Sequence, residues 1–190
     1  GMAQRQFSNI VGFDDAPFTR DHRGEVPIVG AVFAGLRLDG VVMGKIQRDG
    51  LDASREIERI VGDSKFAQHI QLIMLQGIAF GGFNVVDMFS LYEHLPVPVM
   101  AVSRKRPNME AIRKALYAHF SDAARRWSIM ERLGPMEPVG GVYIQRIGIQ
   151  LEEAACVMER FCVYSQIPEP LRTAHLIAGA LTRGVSRGSP

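Results

Sequence analysis

Three short apolar runs crowd the first 46 residues, and their spacing limits the fold more than any other feature of the chain. Asn9-Ile-Val-Gly-Phe13 ends in Asp14-Asp15-Ala16-Pro17, and Pro17 stops a strand from continuing. Val26 to Phe33 is rich in Val and Ile, and Leu38 to Ile46 follows across Ala34-Gly35, a spacing that suits a hairpin. Strands this short need a further layer packed against them.

The rest of the chain supplies that layer. Asp49-Gly50 ends the third strand, and Asp52 is placed to cap a helix over Ala53 to Val61 with Glu56 in its first turns. Ile70 to Leu75 reads as a fully buried strand. Gln76 to Gly82 reads as a glycine-rich loop, with Asn84 as the cap of a helix to about His94. Val97 to Val102 is the next strand, Asn108 caps a helix to about Phe120, and another helix covers Asp122 to Leu133. Beyond a turn at Pro135 and Pro138, Gly141 to Ile147 reads as a strand and Leu151 to Phe161 as a helix. Pro168-Glu169-Pro170 opens a last helix, and the polar tail from Gly184 to Pro190 is expected to fray. This order predicts an α/β fold: a mixed sheet with an antiparallel first three strands, parallel later strands and flanking helices. It matches a ribonuclease H-like layout, although periodicity alone does not separate that layout from other mixed α/β folds.

With 190 residues, 47% of them apolar, and a net charge of +2, one domain over residues 1–190 is expected, and disorder is excluded as the main state. No apolar run reaches the roughly 18 residues of a membrane span. No signal-peptide run opens the chain, and Gly1 before Met2 reads as a residue left by tag cleavage. A cytoplasmic protein without a membrane partner is the expectation. Cys156 and Cys162 form neither a zinc pattern nor a disulfide framework and are expected as buried thiols.

Carboxylates gather where strands end: Asp14 and Asp15 after the first, Asp49 and Asp52 after the third, Glu56 a turn later. Ligands collect at strand ends in open α/β sheets, and oxygen-rich clusters suit Mg²⁺ or Mn²⁺ rather than zinc. Two such ions can activate water in phosphodiester hydrolysis. The same residues also serve as ordinary turn and cap residues. The loop with Gly77, Gly81 and Gly82 precedes a predicted helix and offers backbone N–H groups to a phosphate, yet it is neither a P-loop nor a dinucleotide fingerprint, and a tight strand-to-helix turn is the more common outcome. Between Ala101 and Gly134, eight basic residues stand against Glu110, Asp122 and Glu131, an excess that attracts phosphate or merely solvates a helix face. Arg104 and Lys105 in that stretch leave the same sheet end as Gln76. None of the five histidines sits in a metal-binding spacing; His175, between Ala174 and Leu176, reads as a partly buried histidine of the last helix. Ser103 and Ser165 have no evident histidine partner, so a nucleophilic triad is not indicated.

Five segments together resemble the mostly archaeal endonuclease dU family, distant relatives of endonuclease V: Gly12-Phe-Asp-Asp-Ala-Pro-Phe18, Gly50-Leu-Asp-Ala53, Met74 to Asp87, Ser103-Arg-Lys-Arg-Pro107 and Ile167 to Ala178. The resemblance runs from about Phe7 to Arg187. It implies an endonuclease V-like fold of the ribonuclease H type and Mg²⁺-dependent cleavage of DNA or RNA near deaminated bases. It also implies a metal held by Asp14 and Glu56, with Asp52 as the rival of Glu56. Lys105 or Arg172 would neutralise the phosphate, with Arg104 beside them. Three departures from the relatives stand out. Gln76-Gly77 replaces their Asp-Gly, Ile149 takes the place of the endonuclease V histidine, and the Pro-Tyr-Ile-Pro wedge before Leu51 is missing. Gln76 offers a neutral oxygen where the relatives have a charged ligand, which weakens a hard-cation site. The expectation is therefore an endonuclease-like protein of reduced activity, with a nucleic-acid-binding module or scaffold of the same fold as its alternative.

Overall fold

The structure, a computed structural model, describes residues 4–187, with side chains as far as Leu181. Its sheet begins with β1 (Asn9–Asp15), β2 (Glu25–Ala34) and β3 (Arg37–Gln47), an antiparallel meander. Then come α1 (Ala53–Gly62), β4 (Leu72–Gln76), a small hairpin of β5 (Ala79–Phe80) and β6 (Asn84–Val85), and α2 (Met88–His94). β7 (Val99–Ser103), α3 (Met109–His119) and α4 (Ala123–Arg132) follow. β8 (Glu137–Val139), β9 (Val142–Ile147), α5 (Leu151–Phe161) and α6 (Glu169–Arg187) complete the order. The seven-stranded sheet has the order β3-β2-β1-β4-β7-β9-β8.

β1, β4 and β7 are mutually parallel, as the alternation of strands and helices requires. β9 departs from the expected parallel run and lies antiparallel to β7. The chain returns through a β8–β9 hairpin whose Gly140 and Gly141 take φ of +57° and +84°, the conformation tight hairpin turns demand. Pro138, taken as a turn residue, sits inside β8, at the sheet edge where a proline costs no ladder bond.

Strand alternation divides the core in two. Val11 and Phe13 point to one face with Ile57, Ile60, Leu91 and Leu116 of the first three helices. Ile10 and Met74 point to the other, with Val157 and Phe161 of α5 and Leu171 of α6. Gly12 lets α6 descend on that second face: a Cβ there would stand 2.6 Å from the Pro170 carbonyl carbon. No other residue fits this approach, so Gly12 fixes the height of α6 above β1.

Several local expectations are corrected. Asn84 does not cap the helix after it; Asp87 does, accepting from the Ser90 N–H. Asn84 is fully buried and instead accepts from the Ala53 N–H, the open end of α1. Asp52 occupies the cap position of α1 without a capping bond. Cys156 is exposed and Cys162 half-buried, because Ala154, Val157, Met158 and Phe161 take the inward stripe of α5. α6 runs helical to Arg187 through the start of the expected frayed tail, and positions 188–190 lie outside the described residues. Among the described residues no helix is long and apolar enough to cross a membrane.

Candidate active site

Asp14 is the second-last residue of β1, and alternation turns it to the α6 face, two positions beyond Gly12. It is 5% exposed. Its Oδ1 accepts the Asp15 N–H at 2.8 Å, and its Oδ2 lies 2.9 Å from His175 Nδ1 on α6. Burial pushes the Asp14 carboxyl up to about 6, the His175 hydrogen bond pulling the other way and Asp15 adding to the rise. The β1–β4 register pairs Phe13 with Leu75, so the next residues, Asp14 and Gln76, sit side by side on the α6 face. Gln76 Nε2 donates to the Val102 carbonyl at 3.3 Å. That bond occupies Nε2, and Oε1 makes no hydrogen bond among the described residues. His175 is the functional candidate that the histidine spacing did not reveal. Its side chain is 72% exposed rather than partly buried, with only Nδ1 engaged. The signal was available: Gly12, Asp14 and the Pro168 to Ala178 segment are pieces of one contact.

The other expected carboxylates serve the fold. Glu56 lies on the opposite face of the sheet, on α1, against Gly44 of β3. It accepts the Lys45 backbone N–H at 3.2 Å and pairs with Arg59 at 2.5 Å. β3 is two strands from β1, so the structure does not bring Glu56 to Asp14. Asp52 Oδ1 accepts from the Gln47 N–H and from Asn84 Nδ2. Glu56 and Asp52 thus cover the backbone donors at the outer edge of β3, which would otherwise invite another strand. Among the described residues no three His, Cys, Asp or Glu gather in a metal-binding cluster.

Asp15 and Asp49 clamp the glycine loop. Asp15 Oδ2 accepts the Gly81 N–H at 2.6 Å, and Asp49 Oδ1 accepts the Phe83 N–H at 2.8 Å. Asp49 holds φ of +55°, which Asp tolerates better than most residues. Gly82 packs directly on the Asp49 carboxylate, and the Gly77 N–H donates to Val102 O. The loop amides of Gly77 and Gly81 are thus spent on the protein's own acceptors, and the expected phosphate cradle is not formed. Buried Arg126 completes the clamp from α4, donating to Asp49 O and Phe83 O, each at 2.8 Å.

Folded back in this way, the hairpin walls a cavity of about 650 Å³. Ile78, Phe83, Trp127 and Met130 make its apolar lining, and Lys105 and Arg106 stand in its wall. Arg104 and Lys105 are exposed beyond β7, as expected, without an ion pair among the described residues. Arg172 is different: its guanidinium grips Glu169 at 2.6 and 2.9 Å. Ile149 is buried beside α5.

A mixed sheet that opens with an antiparallel meander and carries a buried aspartate at the end of β1 defines an endonuclease V-like fold. Solved structures bear out the fold. Endonuclease V of Bacillus subtilis matches with a TM-score of 0.63 at 11% identity, covering 97% of this chain and 86% of that one. Ciona intestinalis endonuclease V, crystallised with a DNA containing inosine, matches with a TM-score of 0.61 at 11% identity, covering 94% and 87%. A protein of Archaeoglobus fulgidus is nearer, with a TM-score of 0.85 at 34% identity over 91% of this chain and 97% of that one. A UPF0215 protein of Deinococcus radiodurans is 49% identical, covering 98% of this chain and 95% of its own. The endonuclease dU profile matches residues 6–182, and the chain belongs to that family.

Proposed function

We propose that the chain is a metal-dependent endonuclease that hydrolyses a phosphodiester bond beside a deaminated base in DNA or RNA. The observation that carries this reading is the buried Asp14 carboxylate at the parallel-strand ends, with Gln76 at the neighbouring register position on the same face and His175 bonded to it.

These residues fit Mg²⁺ or Mn²⁺ modestly. A hard cation keeps several waters and needs only one or two protein carboxylates, so Asp14 with Gln76 Oε1 makes a weak site. Glu56 is not part of it. A bound cation would supply Lewis-acid stabilisation of the phosphate and a more acidic water. Asp14 holds the negative charge that orients it. When Asp14 is ionised, His175 donates Nδ1–H to it, which leaves Nε2 as an acceptor facing solvent. Nε2 then takes the proton of a water attacking the phosphorus, while the P–O bond to the leaving sugar oxygen breaks and that oxygen takes a proton from solvent. The cavity beside the glycine hairpin offers an apolar lining to a flipped base, with Lys105 and Arg106 in its wall for the adjoining phosphates. One observation favours the non-catalytic alternative, a binding module: no third charged ligand joins Asp14 and His175 among the described residues.

The test is cleavage of labelled oligonucleotides carrying uracil, hypoxanthine or no lesion, with Mg²⁺, Mn²⁺ or EDTA. Cation-dependent cutting lost in Asp14→Ala is expected, and Gln76→Asp should bind Mg²⁺ more tightly and cut faster. Binding without cutting by either protein would favour the binding module.

A further inference from the structure

Seven of the eight cations between Ala101 and Gly134 stand outside the clamp. Asp122 is taken by Arg126 at 2.8 Å, and Glu131 accepts from Trp127 Nε1 at 2.9 Å. Among the described residues, Arg104, Lys105, Arg106, Arg113, Lys114, Arg125 and Arg132 make no ion pair. Unneutralised charge on this scale has a physical consequence: each exposed cation attracts a phosphate, and the counterion it displaces makes the binding favourable and salt-dependent.

Their arrangement is directional. The first turn of α3 belongs to the cavity, through Met109 and Ile112. One turn further, about 5.4 Å along the helix, come Arg113 and Lys114, both exposed. The Arg113 guanidinium stands 5.8 Å from the Trp127 ring, which lines the cavity, and 5.8 Å from the Tyr117 ring. Tyr117 is 53% exposed at the end of the row, with Arg113 over one face of its ring. Cavity, cation pair and exposed ring therefore lie in sequence along one helix.

We propose that α3 is a second nucleic-acid contact, where Arg113 and Lys114 hold the phosphates of the strand flanking the cavity and Tyr117 stacks an unpaired base of that strand. This extends the reading of the preceding section and rests on it only for the identity of the partner as nucleic acid. Stacking needs an unpaired base, so the surface prefers single-stranded flanks.

The experiment measures binding of the intact protein to labelled single-stranded and duplex oligonucleotides in EDTA, from 50 to 300 mM salt, with cleavage followed separately in Mg²⁺. Arg113→Ala/Lys114→Ala should weaken single-strand binding about tenfold and flatten the salt slope by roughly 1.4, two contacts at about 0.7 each. Tyr117→Ala should lower single-strand affinity about tenfold and leave duplex affinity and salt slope alone, whereas Tyr117→Phe retains the parent affinity. Both variants change exposed side chains, and a parent-like melting temperature verifies their folding. Parent-like affinity and slope in the double variant would overturn the proposal and leave the nuclease reading standing. Loss of binding in that variant, with no cutting by any form, supports the proposal and overturns the nuclease reading. No binding by the parent at low salt overturns both.

Discussion

Replacing Asp14 by Asn should stabilise the protein while abolishing its proposed chemistry. The Asp14 carboxyl is pushed up to about 6 from an ordinary 3.8, chiefly by burial. Between those values the folded state binds more protons than the unfolded state, so stability falls as pH rises from about 4 to 6 and stays reduced above. At 1.36 kcal/mol per pH unit, the ionised side chain costs the fold about 3 kcal/mol at neutral pH. Asn removes the charge and keeps both hydrogen bonds: its oxygen accepts the Asp15 N–H, and its amide donates to His175 Nδ1. A gain of about 3 kcal/mol raises the melting temperature of a chain this long by roughly 6–12 °C. Thermal unfolding in EDTA at pH 8 and pH 4 provides the assay. The gap between the two proteins should be wide at pH 8 and almost closed at pH 4. Adding Mg²⁺ at pH 8 should narrow it by stabilising only the parent. An Asn variant less stable than the parent at pH 8, or a gap independent of pH, would refute the claim that the fold carries this charge at a cost.

Three further outcomes are expected. Gly12→Ala should cost about 1–3 kcal/mol in urea unfolding, because its Cβ meets the Pro170 backbone at 2.6 Å, and it should impair cleavage by lifting His175 from Asp14. Asp49→Ala should cost about 1–3 kcal/mol and speed hydrogen exchange at the Phe83 amide, which would lose its 2.8 Å acceptor. The Arg5 side chain holds the Glu153 carboxyl down at about 2, so that pair's contribution is present above the ordinary carboxylate range and is lost as pH falls toward 2. Arg5 is 55% exposed, and screening limits the effect to about 1 kcal/mol; Arg5→Ala should flatten this acid limb of the stability curve.

The elements were legible where one local cause decides them. The hydrophobic runs of β1 to β3, the Asn108 cap of α3 and the inward stripe of α5 follow from periodicity and short-range hydrogen bonding. Where a competing hydrogen-bond partner lies far along the chain, local rules failed. Asn84 has the composition of a helix cap, and it caps a helix, but one 31 residues upstream. Gly77 to Phe83 has the composition of a phosphate loop, yet Asp15 and Asp49 reach the Gly81 and Phe83 amides first. β9 runs antiparallel because a Gly-Gly turn outweighs the expectation drawn from alternating strands and helices.

Among the carboxylates at the strand ends, spacing alone cannot separate site from scaffold, because both need acceptors where backbone donors end. Strand parity separates them. Asp14 shares the parity of Ile10 and Gly12 and meets α6; Asp15 shares that of Val11 and Phe13 and turns toward the hairpin. Gln76 shares the face of Leu72 and Met74, which puts it beside Asp14. A charged ligand at position 76 would set two carboxylates side by side in a buried place and raise the pKa of the pair further, unless a cation sits between them. Gln76 relieves that repulsion. The apo fold becomes easier to sustain, and the same neutrality weakens the hold on a cation. On this reasoning Gln76→Asp should lower stability in EDTA and recover it in Mg²⁺. That pair of melting curves tests the metal assignment without any cleavage assay.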